Sequence, residues 1–153
     1  MEFSYLSAII FLPIIGAVII GILPGLTDRI IKRIAAVFTF IPLVLTVAIF
    51  TTYDRSSGGV QFEEMISWIP AISANYHLGV DGLSLPMVLL TTLLGFLVIP
   101  VSWSIHNRCR EYFAWLLLLE GSILGVFISL DLLLFFFFWE IEVIPMYFLI
   151  SIW

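Results

Sequence analysis

Charge is scarce in this sequence, and cysteine is almost absent. Six lysines and arginines among 153 residues make no basic patch, which leaves no footprint for nucleic acid. One cysteine, Cys109, excludes an internal disulfide and any cysteine cluster for zinc or iron–sulfur. No glycine-rich phosphate loop occurs, and no serine has a histidine–acid partner in reach. Internal repeats and low-complexity segments are missing too. No cofactor or metal site is visible.

What is present is apolar. The composition is 62% hydrophobic and 11% charged, with a mean hydropathy of +1.19, well outside the range of soluble domains. Five runs each approach the roughly 20 residues that a helix needs to cross a bilayer. They cover residues 3–23, 33–53, 83–105, 112–130 and 132–153. The expected fold is an all-α polytopic membrane protein with five transmembrane helices. The first run is read as a retained helix. Its first charge is Glu2 rather than a base, no Ala-x-Ala site follows, and it exceeds the length of a signal core.

The bases set the expected orientation. Arg29, Lys32 and Arg33 lie between the first two runs, and Arg108 and Arg110 between the third and fourth. Only Arg55 falls in segment 54–82, beside Asp54, Glu63, Glu64 and Asp81. Five of six bases therefore share one side. That side is expected to be cytoplasmic, with Cys109 on it, Met1 outside and Trp153 inside. The net charge of −5 says little, because acids and bases fall on different sides.

Segment 54–82 opens with a Ser56–Ser57–Gly58–Gly59 turn. Phe62, Met65, Ile66 and Ile69 fit a helical stripe, whereas Phe62, Ile66 and Trp68 fit strand alternation, which leaves its conformation open. Trp68 and Tyr76 suit an interfacial position. Asp81 and Ser84 can cap the third helix, with Pro86 in its first turn. His77 and His106 fall on opposite sides in this topology and cannot share a metal. Pro13 and Pro42 are read as kinks.

Three acids break the last two runs. Glu120 sits in the fourth, Glu140 and Glu142 in the fifth. A comparable charge at the bilayer centre costs roughly 2.5–3.5 kcal/mol on insertion scales. Such residues face a protein interior or a water-filled path, and proton or ion handling is the default reading. Ser129, Leu130 and Asp131 must turn the chain, so the two runs form an antiparallel hairpin. At about 1.5 Å per residue, Glu120 and Glu140 lie roughly 15 Å from that turn, at similar depth. Glu140 and Glu142 point about 200° apart and cannot serve one partner. Pro145 frees the carbonyl of Ile141, giving a bend that can admit water beside the acids. The bland alternative is that these acids are hydrogen-bonded glue between helices. Depth favours a functional Glu140. Gly121, Ser122 and Gly125 offer a close-packing face beside Glu120, which leaves that residue evenly balanced, and for Glu142 packing is slightly ahead.

Two strings carry a resemblance: Tyr76-His77-Leu78-Gly79-Val80-Asp81-Gly82-Leu83-Ser84-Leu85-Pro86, and the stretch Asp131 to Ile150 containing Phe138-Trp139-Glu140 and Ile144-Pro145-Met146-Tyr147. They resemble the M chain (subunit four) of proton-pumping NADH:quinone oxidoreductase, complex I, in register over essentially the whole chain. The Gly-Val-Asp-Gly-Leu-Ser element is shared with other antiporter-like subunits, and the second string is more specific.

The resemblance implies a helical proton-channel subunit of the membrane arm. Residues 1–110 would be a three-helix segment with outer loop 54–82, and residues 111–153 the first two helices of an antiporter-like repeat. The family's key glutamate maps onto Glu140, the proton carrier, with Glu120 and Glu142 as further candidates. Its partner lysine has no counterpart here, and the chain is expected to be an N-terminal fragment or a truncated reading frame. NADH, FMN, iron–sulfur clusters and quinone are implied for the assembly and none for this chain. The implied partners are other membrane-arm subunits and the bilayer, in the plasma membrane. Two alternatives stay open: a subunit of a cation/proton antiporter or membrane-bound hydrogenase, and a non-catalytic packing scaffold.

Overall fold

A computed structural model describes residues 4–56 and 58–153. Met1, Glu2, the Phe3 start of the first run and Ser57 of the expected turn lie outside the described residues. Five α-helices follow in order: α1 Tyr5–Ile22, α2 Asp28–Thr52, α3 Ser84–Val101, α4 Cys109–Ile128 and α5 Leu132–Ile152. All five are long and apolar enough to cross a membrane, as a multi-pass membrane protein requires. The helices run unbroken through Pro13, Pro42 and Pro145.

α2 begins earlier than its apolar run. Extended Thr27 accepts the amides of Ile30 and Ile31 through its carbonyl, and Asp28 puts a negative charge on the positive end of the helix. Arg29, Lys32 and Arg33 thus lie in the first two turns of α2 and not in a loop. Lys32 is only 2% exposed; its Nζ donates to the carbonyl of Trp103 at 2.7 Å. Hydropathy alone could not place this start, because the buried ammonium is satisfied by a carbonyl in the 3-10 turn Ser102–Ser104 that follows α3.

The expectation of an all-α chain needs one correction. Two strands, β1 Gln61–Ile69 and β2 Ala74–Val80, form an antiparallel hairpin that pairs Ile66 with Tyr76 and Met65 with His77. A short 3-10 turn, Pro70–Ile72, joins them, with Ser73 in the left-handed region. Of the two conformations left open for 62–69 the strand is the one adopted; Phe62 packs against a buried cluster, while Met65, Ile66 and Trp68 are exposed. The inward-facing alternation is clearer in β2. Ala74, Leu78 and Val80 are buried, and Tyr76, partly buried, packs against the same cluster, so alternate residues of β2 turn inward.

Carboxylates fasten this hairpin to the bundle. Glu64 reaches the start of α1 and accepts from Leu6 N at 2.8 Å, Ser7 N and the Ser7 hydroxyl, so a strand side chain caps a helix. Tyr76 Oη lies 2.8 Å from the same hydroxyl, and burial pushes its phenol above the usual value. Asp131 accepts from Leu133 N at 2.8 Å at the start of α5 and from Asn75 N of β2 at 3.0 Å. These amides, Asn75 first, hold its carboxyl below the usual range. Leu130 N donates to the carbonyl of His77. Asp81 Oδ1 accepts from Ser84 N at 2.7 Å and Leu83 N at 3.0 Å, which lowers its pKa and caps α3 as the sequence implies.

α4 is the central helix, packing against each of the other four. Glycine makes this possible. A Cβ on Gly121 would lie 3.0 Å from the Ile10 carbonyl of α1, and one on Gly125 would enter the Phe138 ring of α5. Between helices in a membrane, such close approach supplies the contacts that apolar burial does not. α5, in contrast, packs chiefly on α4 through Leu134, Phe138 and Pro145.

Candidate functional site

The three acids fall in three environments. Glu120 is 5% exposed and turns from α4 toward α3. A Cβ on Gly95 of α3 would sit 2.6 and 2.7 Å from its two carboxylate oxygens. The acid therefore fits the seam only because residue 95 has no side chain. Both oxygens are buried and have no hydrogen-bond partner among the described residues. Nearby Thr91 and Thr92 spend their hydroxyls on α3 carbonyls. A groove of about 220 Å³, lined by Thr91, Leu94, Gly95, Val98 and Glu120 among others, runs along the seam.

Glu140 is exposed. It lies two residues, about 200°, from Phe138, whose ring packs on α4, so it points away from the bundle. Glu142 is four residues from Phe138, close to the packed face, and is partly buried. The antiparallel α4–α5 hairpin places Glu120 and Glu140 at matched distances from the turn. It does not bring them together, because one faces α3 and the other the open side of α5.

Buried polar groups elsewhere give the setting. Thr39 and Thr46 of α2 and Thr92 of α3 are fully buried; the Thr46 hydroxyl also has no partner among the described residues. Sequence reading passed over Gly95 and Thr46. The signal available for Gly95 was a glycine inside an apolar helical run, where it is unfavourable unless something approaches closely.

Five of the six bases share one end of the bundle. Lys32 meets Trp103, His106 Nδ1 lies 3.2 Å from Asp28, and Arg110 Nε donates to the Ile20 carbonyl at 2.8 Å. These contacts gather Arg29, Lys32, Arg33, Arg108 and Arg110 at one end. Arg55, its guanidinium 5.7 Å from the Phe50 ring centre, lies at the hairpin end, as does His77, 2.9 Å from Glu63. His77 and His106 thus sit at opposite ends, and no group of three metal-ligating side chains occurs among the described residues. Cys109 is buried at the start of α4, so its thiol is not a probe of sidedness.

Comparison with known proteins supplies the remaining context. No protein-family model matches the chain. An NAD(P)H-quinone oxidoreductase chain 4 of Nostoc sp. is 41% identical over 154 aligned residues, covering 100% of this chain and 29% of the relative. One from Synechococcus elongatus is 42% identical over 153, covering 99% and 29%. The chain thus spans about 29% of the length of the curated relatives it matches. Among solved structures, a chain of respiratory complex I from Thermus thermophilus superposes with a TM-score of 0.74 at 26% identity, over 92% of this chain and 27% of that one. A chain of an archaeal membrane-bound sulfane sulfur reductase shares the fold, with a TM-score of 0.81 at 19% identity over 97% and 23%.

Proposed function

Because the chain is homologous along its whole length to NAD(P)H-quinone oxidoreductase chain 4, we propose that it belongs to the membrane arm of a proton-translocating NADH:quinone oxidoreductase and carries part of a proton path. The match at 41% identity over the whole of this chain, 29% of the relative, carries this reading. Other membrane-arm subunits would be its partners, in a multi-pass arrangement in the plasma membrane. NADH, FMN, iron–sulfur clusters and quinone would act on other chains. Cys109 alone cannot supply a cluster's ligand set.

Glu140 is the proposed proton carrier, and its outward position supports a role at a contact with other parts of the assembly. Glu120 is the proposed second protonatable site, within the seam of α3 and α4. Glu142 is a further candidate on the packed side of α5. An acid acting only as glue would be hydrogen-bonded across the seam. That the Glu120 oxygens have no partner among the described residues speaks against that alternative. The basic end is proposed to face the cytoplasm, which an introduced cysteine at exposed Asn107 would report better than Cys109.

The test of function is co-purification. A tagged copy of the chain in its own cells should bring down subunits with quinone-linked NADH oxidation. Recovery free of other subunits and of that activity would sink the proposal.

A further inference from the structure

We propose that the seam between α3 and α4 is a proton-controlled gate, shut while Glu120 holds its proton and parted at Gly95 to admit water when the proton leaves. The gate rests on the reading of Glu120 as a protonatable site and adds what controls access to it.

The apolar interior is two clusters. Toward the hairpin end it includes Ile49 of α2, Leu85 and Val88 of α3, and Leu124 and Ile128 of α4. Toward the basic end it includes Ala35, Ile99 and Leu117 of the same three helices. Between the clusters each helix turns polar side chains inward: Thr39 and Thr46, Thr92, and Glu120, all buried. The Thr46 hydroxyl oxygen and both Glu120 carboxylate oxygens have no hydrogen-bond partner among the described residues. This polar layer is both sealed and unsatisfied.

Nothing facing Glu120 can stabilise a charge on it. α3 has no titratable side chain, and α1 offers only Tyr5, in its first turn. Those of α2 fall within residues 28–33, where buried Lys32 is tied to the Trp103 carbonyl. α4 carries its others at its start, Cys109 to Tyr112. Glu140, Glu142 and Tyr147 belong to α5, which packs chiefly on α4. A neutral acid is tolerated in such a seam, whereas an ionised one requires water.

The seam is also built to part. Gly95 presents bare backbone to the carboxyl, and a groove of about 220 Å³ runs beside it. The hydrogen bonds of the 3-10 turn after α3 lie at the basic end, with the Ser102 and Tyr112 hydroxyls 2.8 Å apart and Lys32 on Trp103. At the level of Glu120 no hydrogen bond crosses from α3 to α4 among the described residues. Opening there breaks dispersion contacts alone.

Thiol reactivity reads the gate. Thr92→Cys and Thr46→Cys each put a thiol of similar size in the layer, and Asn107→Cys, at an exposed position, is the reference. Each is made with Cys109→Ser in the whole chain, in lipid nanodiscs, and reacted with a small methanethiosulfonate. The rate is divided by that of the reference at the same pH, and repeated with Glu120→Gln to remove the thiol's own ionisation. The infrared band of the protonated carboxyl that is lost in Glu120→Gln reports when Glu120 gives up its proton. As that band fades with rising pH, the ratio should rise about tenfold, a shift of about 1.4 kcal/mol in the opening equilibrium. With Glu120→Gln it should stay flat. Either reporter suffices if the other fails to fold. A band that fades while both ratios stay flat would overturn the gate and leave Glu120 protonatable. A band that persists throughout the pH range in which the chain stays folded would overturn both. An equal rise with Glu120→Gln would assign the opening to another group and overturn the gate.

Discussion

α4 and α5 are two arms of one hairpin, of similar length, and each carries acid at similar depth. Yet α4 touches every other helix, while α5 leans on α4 and leaves Phe136, Phe137, Trp139, Val143, Ile144 and Tyr147 exposed. The acid of α4 has Gly95 against it, an apolar groove beside it and, among the described residues, no hydrogen-bond partner. Glu140 of α5 faces outward, and Glu142 is only partly buried. Substitutions around Glu120 should therefore disturb this chain by itself. Substitutions at Glu140 should register only where its outer face meets something.

The largest effect is expected at the joint between the arms. Gly125→Leu would drive a side chain into the Phe138 ring and separate α5 from α4. Overpacking of this kind costs about 1–3 kcal/mol or more, and thermal unfolding of the purified chain should show it. Val143→Leu on the exposed face of α5 should stay within about 0.5 kcal/mol of the parent. Equal losses from the two would erase the distinction between the arms.

A smaller effect follows at the seam. Gly95→Ala should push the Glu120 carboxyl out of place at a cost on the order of 1 kcal/mol or more. Glu120→Ala in the same molecule should recover part of that loss, a coupling of roughly 0.5–3 kcal/mol for residues in contact. Additive losses would mean that Gly95 and Glu120 do not meet.

Asp131 offers a graded test through pH. Its folded pKa is lowered, first by the Asn75 amide, so its stabilising contribution is present above the unfolded carboxylate range. It is lost as pH falls through the folded value. Acidification should loosen β2 from the start of α5, and Asp131→Ala should remove that pH dependence. Fluorescence of Trp68, whose ring lies 5.9 Å from Phe137, would follow it. A transition of unchanged midpoint and size in Asp131→Ala would exclude this residue.

Much of this was legible in the residues. Apolar runs of spanning length marked all five helices, and Ser129–Asp131 left too little chain for anything but a hairpin. The five-to-one placement of bases became an actual division between the ends of the bundle. The start of α2 was hidden because Lys32 is satisfied by a carbonyl remote in sequence. For 62–69 the residues could not decide between helix and strand, because Met65, Ile66 and Trp68 are exposed and give neither pattern a buried face; Gly95 was hidden because its value lies in what another helix puts against it. Helix rotation was the remaining gap. Apolar all round, α5 has no polar side to say which way Glu140 turns, and only the packing of Phe138 decides it.

The proposed pathway is tested most directly by proton pumping in vesicles carrying the assembled oxidoreductase with Glu140→Gln. Gln keeps the shape and hydrogen-bonding capacity of the protonated acid. Assembly should be unchanged, and pumping coupled to quinone reduction should fall to near background, with Glu140→Asp retaining part of it. Wild-type pumping by Glu140→Gln in a fully assembled complex would contradict the assignment.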